Sequence, residues 1–110
     1  MNIQPTQLEN AVLLTVTGRM DAENAEDFQH ACKKWIALGN RNLIADLEGL
    51  QYVSSTGLRY FLAVAQELQS KSGALILCRL HGLPLQVFEM TKLLSLFRVY
   101  ETPDQAIATL

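Results

Sequence analysis

The sequence predicts an α/β fold built on a mixed, mostly parallel β-sheet of four to five strands with about four α-helices. Three observations carry this. Short β-forming runs alternate with amphipathic helical stretches, an order that implies right-handed crossovers. Apolar residues fill 49% of the 110 positions and charged residues 18%, enough for a core and too apolar for disorder. The runs at 43–47 and 74–80 are short and strongly apolar, as buried parallel strands are.

Residues 11–17 are rich in β-formers and end at Gly18, which predicts a strand paired with a shorter one near Ile3 through a turn at Glu9-Asn10. Residues 21–38 read as a helix. Ala25, Phe28, Ala31, Cys32, Trp35 and Leu38 draw one apolar stripe. Asp21 can cap its start, Glu23, Glu26 and Asp27 lie early, and Lys33 and Lys34 lie late, in keeping with the helix dipole. Gly39-Asn40 stops it, and the strand at 43–47 follows.

After a polar break at Glu48-Gly49, a second helix carries Leu58, Phe61, Leu62, Ala65 and Leu68 on one face and ends at Gly73. The strand at 74–80, almost wholly apolar, reads as central. Pro84 opens a third helix with Leu85, Phe88 and Leu93, since proline suits a first helical turn. Residues 96–100 form a last strand, and Thr102-Pro103-Asp104 starts a short helix that turns Ala106, Ile107 and Leu110 inward. No repeat or linker divides the chain, so one domain over 1–110 is expected.

Composition also narrows function. Nine Lys and Arg against eleven Asp and Glu give a net charge of −2, with no basic excess for nucleic acid. No apolar run is long enough for a membrane span, and no leader pattern opens the chain, so a cytoplasmic protein is expected. Cys32 and Cys78 read as buried reduced thiols. His30 and His81 lack metal-ligand spacing and read as surface or loop residues, so no metal or other cofactor is expected. Nucleophile-elbow, P-loop and dinucleotide motifs are absent, and neither histidine follows a strand at the serine-bearing end of the sheet. The chain therefore reads as a binding protein and not an enzyme.

The informative segment is Val53-Ser54-Ser55-Thr56-Gly57-Leu58, three hydroxyl residues where a strand hands over to a helix. The plain reading is a helix cap by Ser54 or Ser55, worth about 1 kcal/mol, with Gly57 relaxing the first turn. A second reading uses the same physics. The free amides and dipole of a helix N-terminus favour negative charge, so a serine there can carry a phosphate without loss of the fold. The phosphate brings roughly −1.5 to −2 charges at pH 7, nearly doubling the net charge at one helix end. If the turn is a docking surface, binding then fails while the domain stays folded.

These residues resemble the STAS domain family, and within it the stand-alone anti-sigma factor antagonists. The family signature is a strand, an aromatic or aliphatic pair, then Asp-Ser-Ser/Thr-Gly-Leu or Ser-Ser-x-Gly-Leu opening a helix. This chain has Leu50-Gln51-Tyr52-Val53-Ser54-Ser55-Thr56-Gly57-Leu58-Arg59. Gly18-Arg19-Met20-Asp21 is similar to the family's Gly-x-Leu-Asp turn. The runs at 43–47 and 73–77 resemble its central strands, and 93–99 its closing Gly-Leu-x-x-Leu-Phe-x-Ile pattern.

The resemblance implies partner switching. The unphosphorylated antagonist binds an anti-sigma factor that is a serine kinase of the GHKL ATPase type. Phosphorylation on the signature serine dissociates the complex, and a PP2C-type phosphatase reverses it. By position Ser55 matches the phosphoacceptor, with Ser54 and Thr56 as lesser candidates. Arg19 and Asp21 match the neighbouring partner-binding loop, and Gly57 the glycine at the helix start. Arg59 and Tyr60 are rim candidates of the docking face, Tyr60 standing with Ala63 and Val64 beside the core stripe. The resemblance further implies a free monomer and no membrane insertion.

Two departures stand out. Ser54 replaces the acidic residue common before the phosphoacceptor. Lys92-Leu93-Leu94 replaces a glycine-containing turn, which predicts a different loop shape there. An alternative within the family is an accessory subunit that binds the ATPase of an ABC-type lipid transporter through an unphosphorylated serine turn. The intact Ser-Ser-Thr-Gly disfavours it.

Overall fold

The computed structural model describes residues 1–110. Its elements run β1 (Asn2–Gln7), β2 (Val12–Met20), α1 (Ala25–Ala37), β3 (Asn42–Asp46), β4 (Leu50–Val53), α2 (Ser55–Ser70), β5 (Ala74–Cys78), α3 (Gly82–Met90), a 3-10 turn (Leu94–Leu96), β6 (Arg98–Tyr100) and α4 (Pro103–Ile107). The strands lie in the order β1-β2-β3-β5-β6, with β4 also on β2. β1 is an antiparallel edge, Asn2 opposite Thr17 and Gln7 opposite Val12, and every other pairing is parallel.

The sheet has six strands rather than four to five. The extra one is β4, which arises from the length of β2. The first part of β2 pairs with β3, Val12 opposite Leu43 through Thr15 opposite Asp46. Beyond a register shift at Gly18/Arg19, the same strand pairs with β4, Arg19 opposite Tyr52 and Met20 opposite Val53. Gly18 takes φ +95°, open to glycine at little cost, and its amide donates to the Gly49 carbonyl at 2.9 Å. The Glu48-Gly49 break is thus an excursion between two strands that share a partner.

The two faces of the sheet are covered unequally. Leu14, Val16, Leu43, Ala45, Leu75 and Leu77 meet α1, α2 and α3 in the main core. A smaller cluster of Ala11, Ile44, Ile76, Cys78 and Ala106 lies under α4. The four phenylalanines stitch the larger layer together: Phe28 to Phe61 at 4.3 Å between ring centroids, Phe61 to Phe88 at 5.6 Å and Phe88 to Phe97 at 5.4 Å. Such aromatic pairs contribute about 0.5–1.5 kcal/mol each beyond their buried area.

Several local expectations are corrected. The regular part of the first helix begins at Ala25, after a turn that Asp21 caps: its Oδ1 accepts from the Glu23 and Asn24 amides and its carbonyl from the Ala25 amide at 3.0 Å. The third begins at Gly82, two residues before Pro84. The last strand is only Arg98–Tyr100, preceded by the 3-10 turn. β5 is interior, between β3 and β6, as its apolar run predicts, although β3 is the middle of the five-strand path. Leu38 is 68% exposed just past the end of α1, and Ile107 and Leu110 are exposed while Ala106 alone of that trio is buried. A five-residue α4 covers too little sheet to bury both flanks. Lys92 takes φ +60°, the region glycine favours, so this turn keeps a glycine-type backbone despite its side chain.

Candidate functional site

The site forms where β2 and β4 end side by side. Met20 and Val53 are paired, point inward and are buried. The chain leaving β4 is held at once, since the Ser54 amide donates to the Met20 carbonyl at 2.8 Å. Ser54 is extended and caps α2: its Oγ accepts from the Gly57 amide at 3.1 Å, and its carbonyl accepts the first helical bond, from Leu58 N at 3.0 Å. Gly57 is glycine for lack of room. A Cβ there would lie 2.8 Å from both Met20 Sδ and Val53 Cγ2, so the helix start sits directly on the strand pair.

This resolves the serine run. Ser54 is the cap and is half-buried. Ser55 is the first helical residue, is exposed, and its hydroxyl has no hydrogen-bond partner in the chain. Thr56 is half-buried one position on. The amides of Ser55 and Thr56 precede the first helical bond, so the N-terminal positive end of the dipole is open at Ser55.

The loop from β2 to α1 borders this turn. Arg19 projects beside Tyr52, its guanidinium carbon 4.6 Å from the ring centroid. Asp21 is exposed, and its Oδ1 accepts from the Glu23 amide at 2.9 Å and the Asn24 amide at 3.0 Å. Asn24 was not among the expected site residues. Its Nδ2 donates to the Arg19 carbonyl at 2.9 Å and its Oδ1 accepts from the Asp21 amide at 2.9 Å, so one side chain clamps the segment between them. The signal in the sequence was the Asp21-Ala22-Glu23-Asn24 spacing, which favours local side-chain to backbone bonds.

Of the other expected site residues, Arg59 is exposed one helical turn after Ser55. Tyr60 is half-buried and packs against the main core, and Val64 is inside it, so the group beside the core stripe is largely structural. His30 and His81 are exposed, and His81 Nε2 lies 2.8 Å from the Glu48 carbonyl oxygen. Both cysteines are buried, and desolvation is the main cause that pushes each thiol up to about 12. No helix is long and apolar enough to cross a membrane.

The family model described as "STAS domain" matches residues 2–106. The "Putative anti-sigma factor antagonist BtrV" of Bordetella bronchiseptica is 32% identical over 108 residues, covering 98% of this chain and 93% of that protein. A crystal structure of an anti-sigma factor antagonist from Mycobacterium paratuberculosis superposes with a TM-score of 0.88 at 20% identity, covering 98% of this chain and 92% of that one. The Bacillus cell fate determinant SpoIIAA in its phosphorylated form gives 0.75 at 22% identity, with 98% of each chain covered. At those identities the two structures bear on the fold. With the family model spanning nearly every residue and BtrV aligned across the serine turn, the chain belongs to the STAS domain family.

Proposed function

We propose that this protein is an anti-sigma factor antagonist that works by partner switching, with Ser55 as its phosphoacceptor. One observation carries the proposal: Ser54 commits its hydroxyl to the cap of α2, which leaves Ser55 exposed at the first helical position with a free hydroxyl. The name of BtrV and the existence of a phosphorylated SpoIIAA on the same fold support it.

In the unmodified state the turn and the Asn24-clamped loop form one docking face, to which Arg19, Asp21, Ser54, Ser55, Thr56, Gly57, Arg59 and Tyr60 contribute side chain or backbone. The partner is an anti-sigma factor that is also a GHKL-type serine kinase. The γ-phosphoryl group of ATP passes to Ser55 Oγ, the hydroxyl proton leaves and ADP is released. The phosphate adds roughly −1.5 to −2 charges where the complex would have to desolvate them, and the partner dissociates. The fold survives because the phosphate faces a helix N-terminus, which favours an anion by about 0.3–1 kcal/mol. A PP2C-type phosphatase hydrolyses the ester and resets the switch. The protein acts by binding, in the cytoplasm, as one domain that is monomeric when free.

The test is incubation with a GHKL-type kinase from the same genome and ATP, read by mass spectrometry. One phosphate at Ser55, none on Ser55→Ala, and loss of the kinase complex in Ser55→Glu are expected. Equal phosphorylation of Ser55→Ala, or full binding by Ser55→Glu, overturns the proposal. Capture of an ABC-type ATPase with Ser55 unmodified would favour the transporter accessory role instead.

A further inference from the structure

Arg59 follows Ser55 by four residues on α2, which puts the two on one helix face. Helical side chains lean toward the N-terminus, so the Arg59 stem points back over the turn that carries Ser55. Both residues are exposed. Arg59 takes no part in an ion pair, since the three in the chain join His30 to Glu26, Arg79 to Asp46 and His81 to Glu48.

The other charged groups at this end of the sheet are less available. Arg19 lies over the Tyr52 ring, and its backbone carbonyl is held by Asn24. The Asp21 carboxylate accepts two backbone amides, and Glu23 stands in the same loop with the same sign as a phosphate. Arg59 is therefore the cation with both the reach and the freedom to meet a new anion at position 55.

We propose that Arg59 is the intramolecular partner of a phosphate on Ser55. The guanidinium pairs with the phosphate across one turn, in the anion-before-cation order that the helix dipole favours. The pairing rests on the reading of Ser55 as the phosphoacceptor. It gives the modification a second effect. Besides adding negative charge, the phosphate draws Arg59 back along α2 and removes a cation from the docking face. The phospho-form then differs from the free form by more than the charge of the phosphate alone.

The experiment installs phosphoserine at position 55 through a phosphoserine-specific suppressor tRNA and follows its ionisation by 31P NMR against pH. A nearby cation stabilises the dianion and holds the second ionisation below its usual pH of about 6. Arg59→Gln is expected to raise the midpoint by roughly 0.3 unit or more, Arg59→Lys to restore most of the wild-type value, and Arg19→Gln to leave it unchanged. An unchanged midpoint in Arg59→Gln, or a rise that follows Arg19→Gln instead, overturns the pairing. No kinase is used, so a kinase that fails to modify Ser55 would overturn the functional reading without touching this result.

Discussion

Replacing Ser54 and Ser55 in turn separates a capping hydroxyl from one with no partner in the chain. Ser54 Oγ is the acceptor for the Gly57 amide at 3.1 Å and the only side-chain cap on a 16-residue helix. Gly57 is buried, so water cannot readily replace the lost acceptor in Ser54→Ala. Loss of a serine cap costs about 0.5–2 kcal/mol, and the buried amide puts this case in the upper half, about 1–2 kcal/mol. For a chain of this length that lowers Tm by roughly 4–10 °C. Ser54→Asp supplies an equivalent cap and a favourable charge at the dipole, so its stability should stay within about 0.5 kcal/mol of wild type. Ser55→Ala removes a hydroxyl with no partner and should also stay within about 0.5 kcal/mol. Urea unfolding followed by the fluorescence of Trp35, with thermal melts alongside, measures all three. If Ser54→Ala melts with wild type while Ser55→Ala loses about 1 kcal/mol, the assignment of cap and free hydroxyl is reversed and the choice of Ser55 loses its physical basis.

Three further outcomes are expected. Asn24→Ala removes both bonds of the loop clamp and should destabilise by about 1 kcal/mol, with weaker binding of the anti-sigma partner in a titration by calorimetry; unchanged binding would show the loop to be held without Asn24. Lys92→Gly relieves a left-handed backbone at an exposed position, and the gain of roughly 1–2 kcal/mol exceeds the entropy added to the unfolded chain, so a small rise in Cm on urea unfolding is expected. The Cys32 and Cys78 thiols are raised by burial from 9.0 to about 12 in the folded chain, so their neutral forms favour the fold fully below about pH 9, and that contribution is lost as pH rises toward 12. Stability should fall across that window, and less steeply in Cys32→Ala at the same denaturant; both thiols should resist a thiol reagent at pH 8 until the protein is unfolded.

How much was legible in the chain differs from element to element. The helix of 55–70 was plain, because Leu58, Phe61 and Leu68 repeat at helical spacing and Gly73 ends the run. Tyr60 and Val64 were ambiguous, since periodicity marks one stripe and a helix wedged between α1, β5 and the core buries a wider face. β4 was hidden. Its four residues, Leu50–Val53, show no alternation long enough to read, and they pair only with the far end of β2. The positive φ at Lys92 was hidden too, because a lysine reports no preference for it.

The candidate site divides along the same line. That a hydroxyl-rich turn opens a helix near a Gly-Arg-Met-Asp loop follows from local preferences, which act within a few residues and leave their mark in the sequence. Tertiary structure decided which serine caps the helix and which stands exposed with an unbonded hydroxyl. The Met20 carbonyl takes the Ser54 amide, and the Met20–Val53 pair leaves no room for a side chain at Gly57. Together they fix Ser54 in the cap and turn Ser55 outward. The contacts of Met20 join residues more than thirty positions apart, and no local propensity can encode them.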